Sequence, residues 1–517
     1  MKGTRDWFKV ILFFVFILES TAWGQCVVVD SQQGRVRDLQ DPFFQLMRLV
    51  PRCPSDVLAL RGQVKEEGGT FITTMVANQG FHHPDRGSFS FFEAVEMKAP
   101  KHLSRPIRPH ELLFGHFVAP GEDATLILDQ DPSSSSLMVE LLAWDAKKEV
   151  YNFYELIGSP ETGSRWFYRG DSRDIWTDTE KVHRTRQPGE SIFGRRLRCS
   201  GCHLAGGPLM KELEAPHDSW WNKERPLPFG GREPDAQMQA VMATLHPPSA
   251  LQGLVVKGLE QLIAGRAFAK KQDASPQIAL RPLFCPEEIN LVASEKPLQD
   301  SNVVTIPTSF FLDERIFTSD KLQVNRGLYL EALLSFQSRF GEYEGIGADA
   351  DHGWAAPVKG KADILAIDQL VKRGKISSEF ITAVLSVDWT RPVFSKMRCE
   401  LLPLVPSAWS EHWLVEFKEA LAQSKLSGAP ILLAHMESPV QPPLREFFTN
   451  CKQTLQTSTG VHGLVQYLGQ VRKEVSASEI SKNPRGQILE PGFRVIFPTF
   501  TPDPIPWALT LGEDCFF

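Results

Sequence analysis

The sequence lacks several features that would point directly to a function. Basic residues are not in excess, because 56 Lys and Arg stand against 62 Asp and Glu, and the net charge of −6 gives no general attraction to nucleic acid. After the first 25 residues no segment approaches 18 uninterrupted apolar residues, so we expect no integral membrane span in the mature chain. No glycine-rich phosphate loop or nucleophile elbow is present. These absences disfavour nucleic-acid binding and the enzyme classes that those motifs mark.

What is present is a long chain of ordinary globular composition, with 517 residues of which 42% are hydrophobic. A chain of this length is expected to form about two to four domains, and it needs no disulfides merely to fold. The eight cysteines are therefore the feature that needs an explanation.

The first 24 residues have the pattern of a secretory signal peptide. Lys2, Arg5 and Lys9 precede the short apolar run Val10–Leu18. Ala22 and Gly24 supply small residues at the positions that a signal peptidase reads, so we predict cleavage after Gly24. The run is about half the ~20 residues that span a bilayer as a helix. The alternatives are an uncleaved membrane anchor and a lipoprotein acylated at Cys26. The pattern predicts an exported protein.

Three parts are predicted after the signal peptide, giving an α+β chain. Residues 25–190 are expected to form a β-rich antiparallel domain, with strands at Ala124–Asp129, Leu137–Trp144 and Glu149–Leu156. Asp145-Ala146-Lys147-Lys148 is predicted to be the turn between the last two strands. Residues 191–274 change to short helical patterns separated by glycine and proline. Residues 275–517 are predicted to be mainly helical.

Two helical patterns in the third part are clear. Ile364, Ile367 and Leu370 recur on one helical face before Gly374, which is a typical helix stop. Trp409, Trp413, Phe417 and Leu421 form a stripe at i, i+4 spacing, which favours a packed core over a cofactor site.

The chemistry-bearing motif is Cys199-Ser200-Gly201-Cys202-His203, a C-x-x-C-H sequence. Two thiols at this spacing can reach the two vinyl groups of a haem, and the histidine that follows can bind the iron. Chance alone would give about 0.003 occurrences in a chain of this composition. The export signal is an independent indication, because covalent haem is attached outside the cytoplasm.

Through Cys199, Cys202 and His203 the sequence resembles the c-type cytochromes. The resemblance implies one covalently bound haem c, with thioether bonds from the two cysteines and an iron bond from His203 Nε2. It covers five residues directly and about 80 around them, and it implies that residues 191–274 are a cytochrome c-like haem-binding helical segment. A redox-active disulfide of thioredoxin type and a zinc site are the alternatives for the two cysteines, although no βαβ pattern and no second ligand pair accompany them.

The second axial ligand of the iron decides what such a haem does. Methionine raises the reduction potential, a second histidine lowers it, and an open position admits peroxide, oxygen or nitric oxide. The candidates are Met210, His217, Met238, Met242 and His246, or no protein ligand.

Other side chains near the motif could contact the haem. Arg195, Arg196 and Arg198 precede it and can pair with propionates in bidentate fashion, or can lie in a solvated turn. Trp220 and Trp221 can pack on the porphyrin or in an ordinary core.

The remaining cysteines are even in number, which in an exported chain predicts up to three disulfides with 15 possible pairings. They are Cys26, Cys53, Cys285, Cys399, Cys451 and Cys515. A bridge at Cys515 would pin a C-terminal tail that otherwise frays. The acidic loop Glu342–His352 and the pair His82-His83 are weaker metal candidates, and neither has the ligand spacing of a known site.

The sequence therefore predicts an exported monohaem c-type cytochrome, periplasmic by resemblance, that exchanges single electrons with a redox partner protein. A haem oxidoreductase or gas sensor with an open sixth position is the second hypothesis. A non-haem exported binding protein with a Cys199–Cys202 disulfide is the third. The oligomeric state is not predicted.

Overall fold

The computed structural model describes residues 26–30, 34–78, 88–118, 137–159, 163–185, 203–208, 239, 243–246, 248–286, 288–293, 302–306, 313, 315, 322–337, 355–438, 442–477, 488–490, 494–498 and 515.

A seven-stranded sheet forms the N-terminal part of the molecule. Its strands are β1 (Val28–Val29), β2 (Thr70–Asn78), β3 (Ser88–Glu96), β4 (Leu112–Val118), β5 (Leu137–Asp145), β6 (Val150–Ser159) and β7 (Gly163–Asp171). The order across the sheet is β1-β7-β6-β5-β4-β3-β2. Strands β2 to β7 pair antiparallel with their sequence neighbours, and β1 pairs parallel with β7. The predicted antiparallel pairing of the strands at Leu137–Trp144 and Glu149–Leu156 is confirmed.

The turn between β5 and β6 lies where the sequence indicated it. Asp145 Oδ1 accepts hydrogen bonds from the backbone N–H groups of Lys147 and Lys148, both at 3.0 Å. Glu149 then adopts a φ of +56°, a left-handed conformation that leads the chain into β6. The predicted strand Ala124–Asp129 lies outside the described residues.

Helices cover both faces of this sheet. Leu141 and Ala143 of β5 belong to one buried cluster, whereas Leu142 and Trp144 belong to another, as the alternation of side chains along a strand requires. The first face packs against α1 (Pro42–Leu49) and α2 (Val57–Glu66), and the second against α3 (Ser172–Thr185) and α4 (Pro248–Ala264). Because both faces of the sheet are buried, helices α3 and α4 are held in fixed positions against it.

Helix α1 begins at a buried carboxylate on the first face. Asp41 Oδ1 accepts the backbone N–H of Phe44 at 2.9 Å. Its Oδ2 accepts Asn152 Nδ2 at 2.7 Å and the Tyr154 hydroxyl at 2.6 Å. Burial raises the pKa of Asp41 to about 6, against the opposing effect of these hydrogen bonds.

The rest of the described chain is mostly helical, as predicted. The helices are α5 (Arg266–Asp273), α6 (Pro276–Phe284), α7 (Arg326–Gln337), α8 (Lys361–Lys372), α9 (Ser378–Ser386), α10 (Lys396–Cys399), α11 (Trp413–Gln423), α12 (Gly428–Glu437), α13 (Pro442–Thr454) and α14 (Ser458–Ala477), with a 3-10 turn at Leu402–Leu404. The chain is therefore α+β.

Two small sheets interrupt the helices, and the sequence patterns did not indicate them. β9 (Val303–Ile306) pairs with β10 (Leu322–Asn325), and a four-stranded sheet has the order β11-β8-β13-β12. The strands of the second sheet are β8 (Glu288–Ala293), β11 (Ala355–Lys359), β12 (Ile488–Glu490) and β13 (Arg494–Pro498). Segments of three to six residues carry too little periodicity to be recognised alone.

Both clear helical patterns lie in the core. Ile364, Ile367 and Leu370 are buried on α8, which ends before Gly374 at a φ of +66°. Helix α11 begins at Trp413, so Trp409 precedes it, yet the two indole rings still pack edge to face at 5.2 Å.

The six cysteines outside the C-x-x-C-H motif form three disulfides. The pairs are Cys26–Cys53, Cys285–Cys399 and Cys451–Cys515. The last of these ties residue 515 to α13, as we expected for the tail. Within the described ranges, no helix is long and apolar enough to span a bilayer.

Candidate haem site

The described part of the C-x-x-C-H motif begins at its histidine. Residues 203–208, His-Leu-Ala-Gly-Gly-Pro, form a short loop on the second face of the large sheet, with Leu204 buried. Cys199 and Cys202 lie outside the described residues. The described part of the site is the loop that follows the motif, together with the elements that hold this loop.

Helix α3 holds the loop through two side chains that donate to its carbonyl groups. The Ser172 hydroxyl donates to Gly206 O at 2.6 Å, and the Trp176 indole N–H donates to Ala205 O at 2.8 Å. The backbone N–H of Gly206 donates back to His203 O at 2.8 Å, which closes a turn. Because Ser172 and Trp176 are themselves buried, these hydrogen bonds fix the loop against the sheet domain.

Gly206 is required by both its conformation and its surroundings. Its φ of +75° is left-handed. A Cβ at this position would lie 2.7 Å from Trp176 Nε1 and 3.0 Å from Ser172 Cβ. Only glycine allows the loop to approach α3 so closely.

Helix α4 closes the other side of the loop. A Cβ on Gly207 would lie 2.9 Å from Leu262 Cδ2, and one on Gly258 would lie 2.8 Å from Pro208 Cγ. The two glycines therefore allow the loop and α4 to pack in direct contact. The loop is held between α3 and α4 against the second face of the sheet.

The imidazole of His203 has a defined tautomer. Its Nδ1 lies 2.8 Å from Gly207 O, and since a carbonyl oxygen only accepts, Nδ1 carries the proton. In the neutral ring the lone pair is therefore on Nε2, the nitrogen that would bind a metal. The ring packs on Phe153 of β6 with centroids 5.3 Å apart. Metal-binding histidines commonly donate their other N–H to a backbone carbonyl in this way.

His246 lies near the opposite edge of the sheet from His203. Its backbone N–H donates to Thr73 O of β2 at 2.8 Å, whereas His203 packs on β6. Four strand spacings, or about 19 Å, separate β2 from β6. Two axial ligands must bind one iron atom, so this separation argues against His246 as the partner of His203.

The other candidate axial ligands, Met210, His217, Met238 and Met242, lie outside the described residues. So do two further groups of candidates, which are Arg195, Arg196, Arg198, Trp220 and Trp221 near the haem motif and the metal candidates His82, His83 and Glu342–His352. Among the residues that the structure describes, no three His, Cys, Asp or Glu side chains come together as a metal-binding group. A haem held by one described histidine needs no such group.

Sequence reasoning did not find Ser172 and Trp176. They lie 34 and 29 positions before the loop carbonyls that they bind, and no local pattern signals that contact. The cue that was available is the Gly206-Gly207 pair directly after the motif, which indicates close backbone approach to another element.

Comparison of the chain with family models, with characterised proteins and with solved structures finds no match.

Proposed function

We propose that this protein is an exported monohaem c-type cytochrome that carries single electrons. The observation that carries the proposal is the tautomer of His203. The Nδ1–H of the histidine that ends the C-x-x-C-H motif donates to Gly207 O, so Nε2 is the ring nitrogen that would bind iron.

In this proposal, haem c supplies a reversible one-electron couple when bound. Cys199 and Cys202 would hold it covalently, and His203 would bind its iron. The Gly207 carbonyl keeps the imidazole in one orientation and increases its basicity. Ser172 and Trp176 hold the loop through Gly206 and Ala205, so the ring changes its position little when the charge of the site changes.

Export is proposed from two features. The N-terminal pattern of residues 1–24 is that of a secretory signal, and three disulfides are expected only where the compartment is oxidising. We propose the periplasm as its location, because the c-type cytochromes that the chain resembles are matured outside the cytoplasm.

The decisive test is haem retention on denatured protein. The chain is produced in a host that exports it and attaches haem, then denatured in acid acetone. Haem should stay with the polypeptide, and Cys199→Ala with Cys202→Ala should abolish this retention. Haem extracted from the wild-type chain would overturn the proposal, and a Cys199–Cys202 disulfide found by mass spectrometry would then support the non-haem binding protein.

The role of His203 has a matched control within the chain. His203→Ala should change the reduced absorption spectrum and lower haem retention, because the iron loses its strong-field protein ligand. His246→Ala removes the same kind of side chain beside β2, which lies four strand spacings, or about 19 Å, from β6. This substitution should leave the spectrum unchanged. Equal spectra for wild type and His203→Ala would refute the assignment of His203.

Carbon monoxide separates the carrier from the second hypothesis. A six-coordinate carrier should give no prompt spectral shift when the reduced protein is exposed to the gas. A prompt shift would instead support a haem oxidoreductase or gas sensor with an open sixth position.

A further inference from the structure

A basic surface lies beside the candidate haem site. Residues 266–275 and 372–375 together contain six basic and one acidic side chain, in a chain whose net charge is −6. The first segment covers α5, and the second covers the end of α8 and the residues after it. Local charge of this sign is opposite to that of the whole molecule.

The two segments form one surface because they share a carboxylate. Arg373 Nη2 donates to both oxygens of Asp273 at 2.6 Å, and Lys375 Nζ lies 3.5 Å from Oδ1. The single acid is thus shared by two bases. Arg266 is paired with Glu149 at 2.9 Å. Lys270 and Lys372 are exposed and, like Lys271, lie at the ends of their helices.

Lys271 connects this surface to the loop after the haem motif. Its Nζ lies 5.7 Å from the centre of the Trp176 ring and 5.4 Å from that of Phe268. The same indole donates its N–H to Ala205 O, two residues from His203. Trp176 therefore lies between the loop and the basic surface, with its N–H directed at the loop and Lys271 over its ring.

The charges of α3, which carries Trp176, do not cancel the excess. Residues 172–185 contain three basic and three acidic side chains. Arg173 is paired with Asp171, and Asp174 accepts the backbone N–H of Asp171. The positive potential therefore comes from α5 and the end of α8.

We propose that the surface formed by Lys270, Lys271, Lys372, Arg373 and Lys375 is the docking site for an acidic redox partner protein, and that the buried Trp176 beneath Lys271 lies between this surface and the haem loop. The inference rests on the proposed electron-carrier function. Complementary charge steers two proteins into contact and raises the association rate by a factor of about 10 to 1,000, an effect that salt removes.

The kinetic experiment uses small oxidants as probes of the local potential. Reduced protein is mixed by stopped flow with ferricyanide, an anion, or with tris(phenanthroline)cobalt(III), a cation. In each reaction the haem iron gives one electron to the oxidant and becomes ferric. Lys270→Glu with Lys271→Glu reverses the charge of these two side chains. Lys270→Gln with Lys271→Gln makes half of that change in charge and adds no acidic group.

The matched control is Arg37→Glu with Arg48→Glu. These two exposed bases line a separate cleft of about 280 Å³ beside α1, on the first face of the sheet. The control makes the same change in net charge far from the loop. It separates a local effect from that of total charge.

At low ionic strength the Lys→Glu variant should react with ferricyanide at least about tenfold more slowly than wild type. It should react faster with the cobalt complex, and the Gln variant should lie between. The control should stay within about twofold, and all rates should converge in 1 M salt. Equal ferricyanide rates for wild type and the Lys→Glu variant would overturn the docking surface.

A second readout needs no haem. A fluorescently labelled polyglutamate peptide should bind the wild-type protein at low salt, and its affinity should fall at least about fivefold in the Lys→Glu variant and less in the control. Equal affinities would refute the acidic-partner assignment. If the peptide binds as expected but the protein carries no haem, the redox function fails while the acidic docking surface stands, so the two failures are distinguishable.

Discussion

Gly206→Ala tests whether the loop after His203 is held as tightly as the structure shows. At this position alanine would adopt a left-handed φ of +75° and place its Cβ 2.7 Å from Trp176 Nε1 and 3.0 Å from Ser172 Cβ. The left-handed conformation costs an alanine about 1–2 kcal/mol. Overpacking against two buried side chains adds about 1–3 kcal/mol.

Gly374 provides the matched control, because it isolates the cost of conformation. Its φ is +66°, and a Cβ there would meet nothing within 4 Å. Gly374→Ala should therefore cost only the ~1–2 kcal/mol of the left-handed conformation. The difference between the two variants, about 1–3 kcal/mol, measures the close approach of the loop to α3.

Urea unfolding followed by tryptophan fluorescence gives both free energies. The haem spectrum of Gly206→Ala should also change, because a shifted loop moves the Gly207 carbonyl from the His203 ring. The spectrum of Gly374→Ala should match wild type. Equal destabilisation by the two substitutions would refute the packing of Gly206 between Ser172 and Trp176.

Three further outcomes are expected. Ser172→Ala should lower the free energy of unfolding by about 1–3 kcal/mol, measured in urea, because the buried Gly206 carbonyl loses its donor. Asp41, whose pKa burial raises to about 6, binds a proton more tightly folded than unfolded, so its stabilising contribution is complete below about pH 4 and is lost as the pH rises through about 6. Asp41→Asn should abolish this part of the pH dependence, about 3 kcal/mol in size, in unfolding measured from pH 4 to 7. Replacing Cys285 and Cys399 by Ala opens a 114-residue loop and should cost about 4–5 kcal/mol by the same measurement, whereas an unchanged midpoint would contradict a bridge between them.

The fold could be predicted in part from local patterns. Strands β5 and β6 were identified because their apolar and aromatic residues are dense and a turn separates them, and α8 was identified from the spacing of Ile364, Ile367 and Leu370. The two small sheets were not identified, since their strands are short and the four-stranded sheet combines segments from residues 288 to 498. The strand predicted at Ala124–Asp129 lies outside the described residues.

The candidate site divides in the same way. The identity and spacing of Cys199, Cys202 and His203 are local, so the sequence by itself indicated haem attachment and an exported chain with further disulfides. It also indicated the methionine and histidine candidates for the second axial position, without a means of choosing among them.

Only the tertiary structure decided which residues meet. It selected one of the 15 possible pairings of six cysteines. It also brought Ser172 and Trp176 into hydrogen bonds with the carbonyl groups of Gly206 and Ala205. It also placed His246 beside β2, where its backbone N–H donates to Thr73 O, away from His203. The physical reason is that periodicity and spacing report on neighbours within a few residues, whereas the order of strands in a sheet and the faces that helices cover bring together residues far apart in the chain.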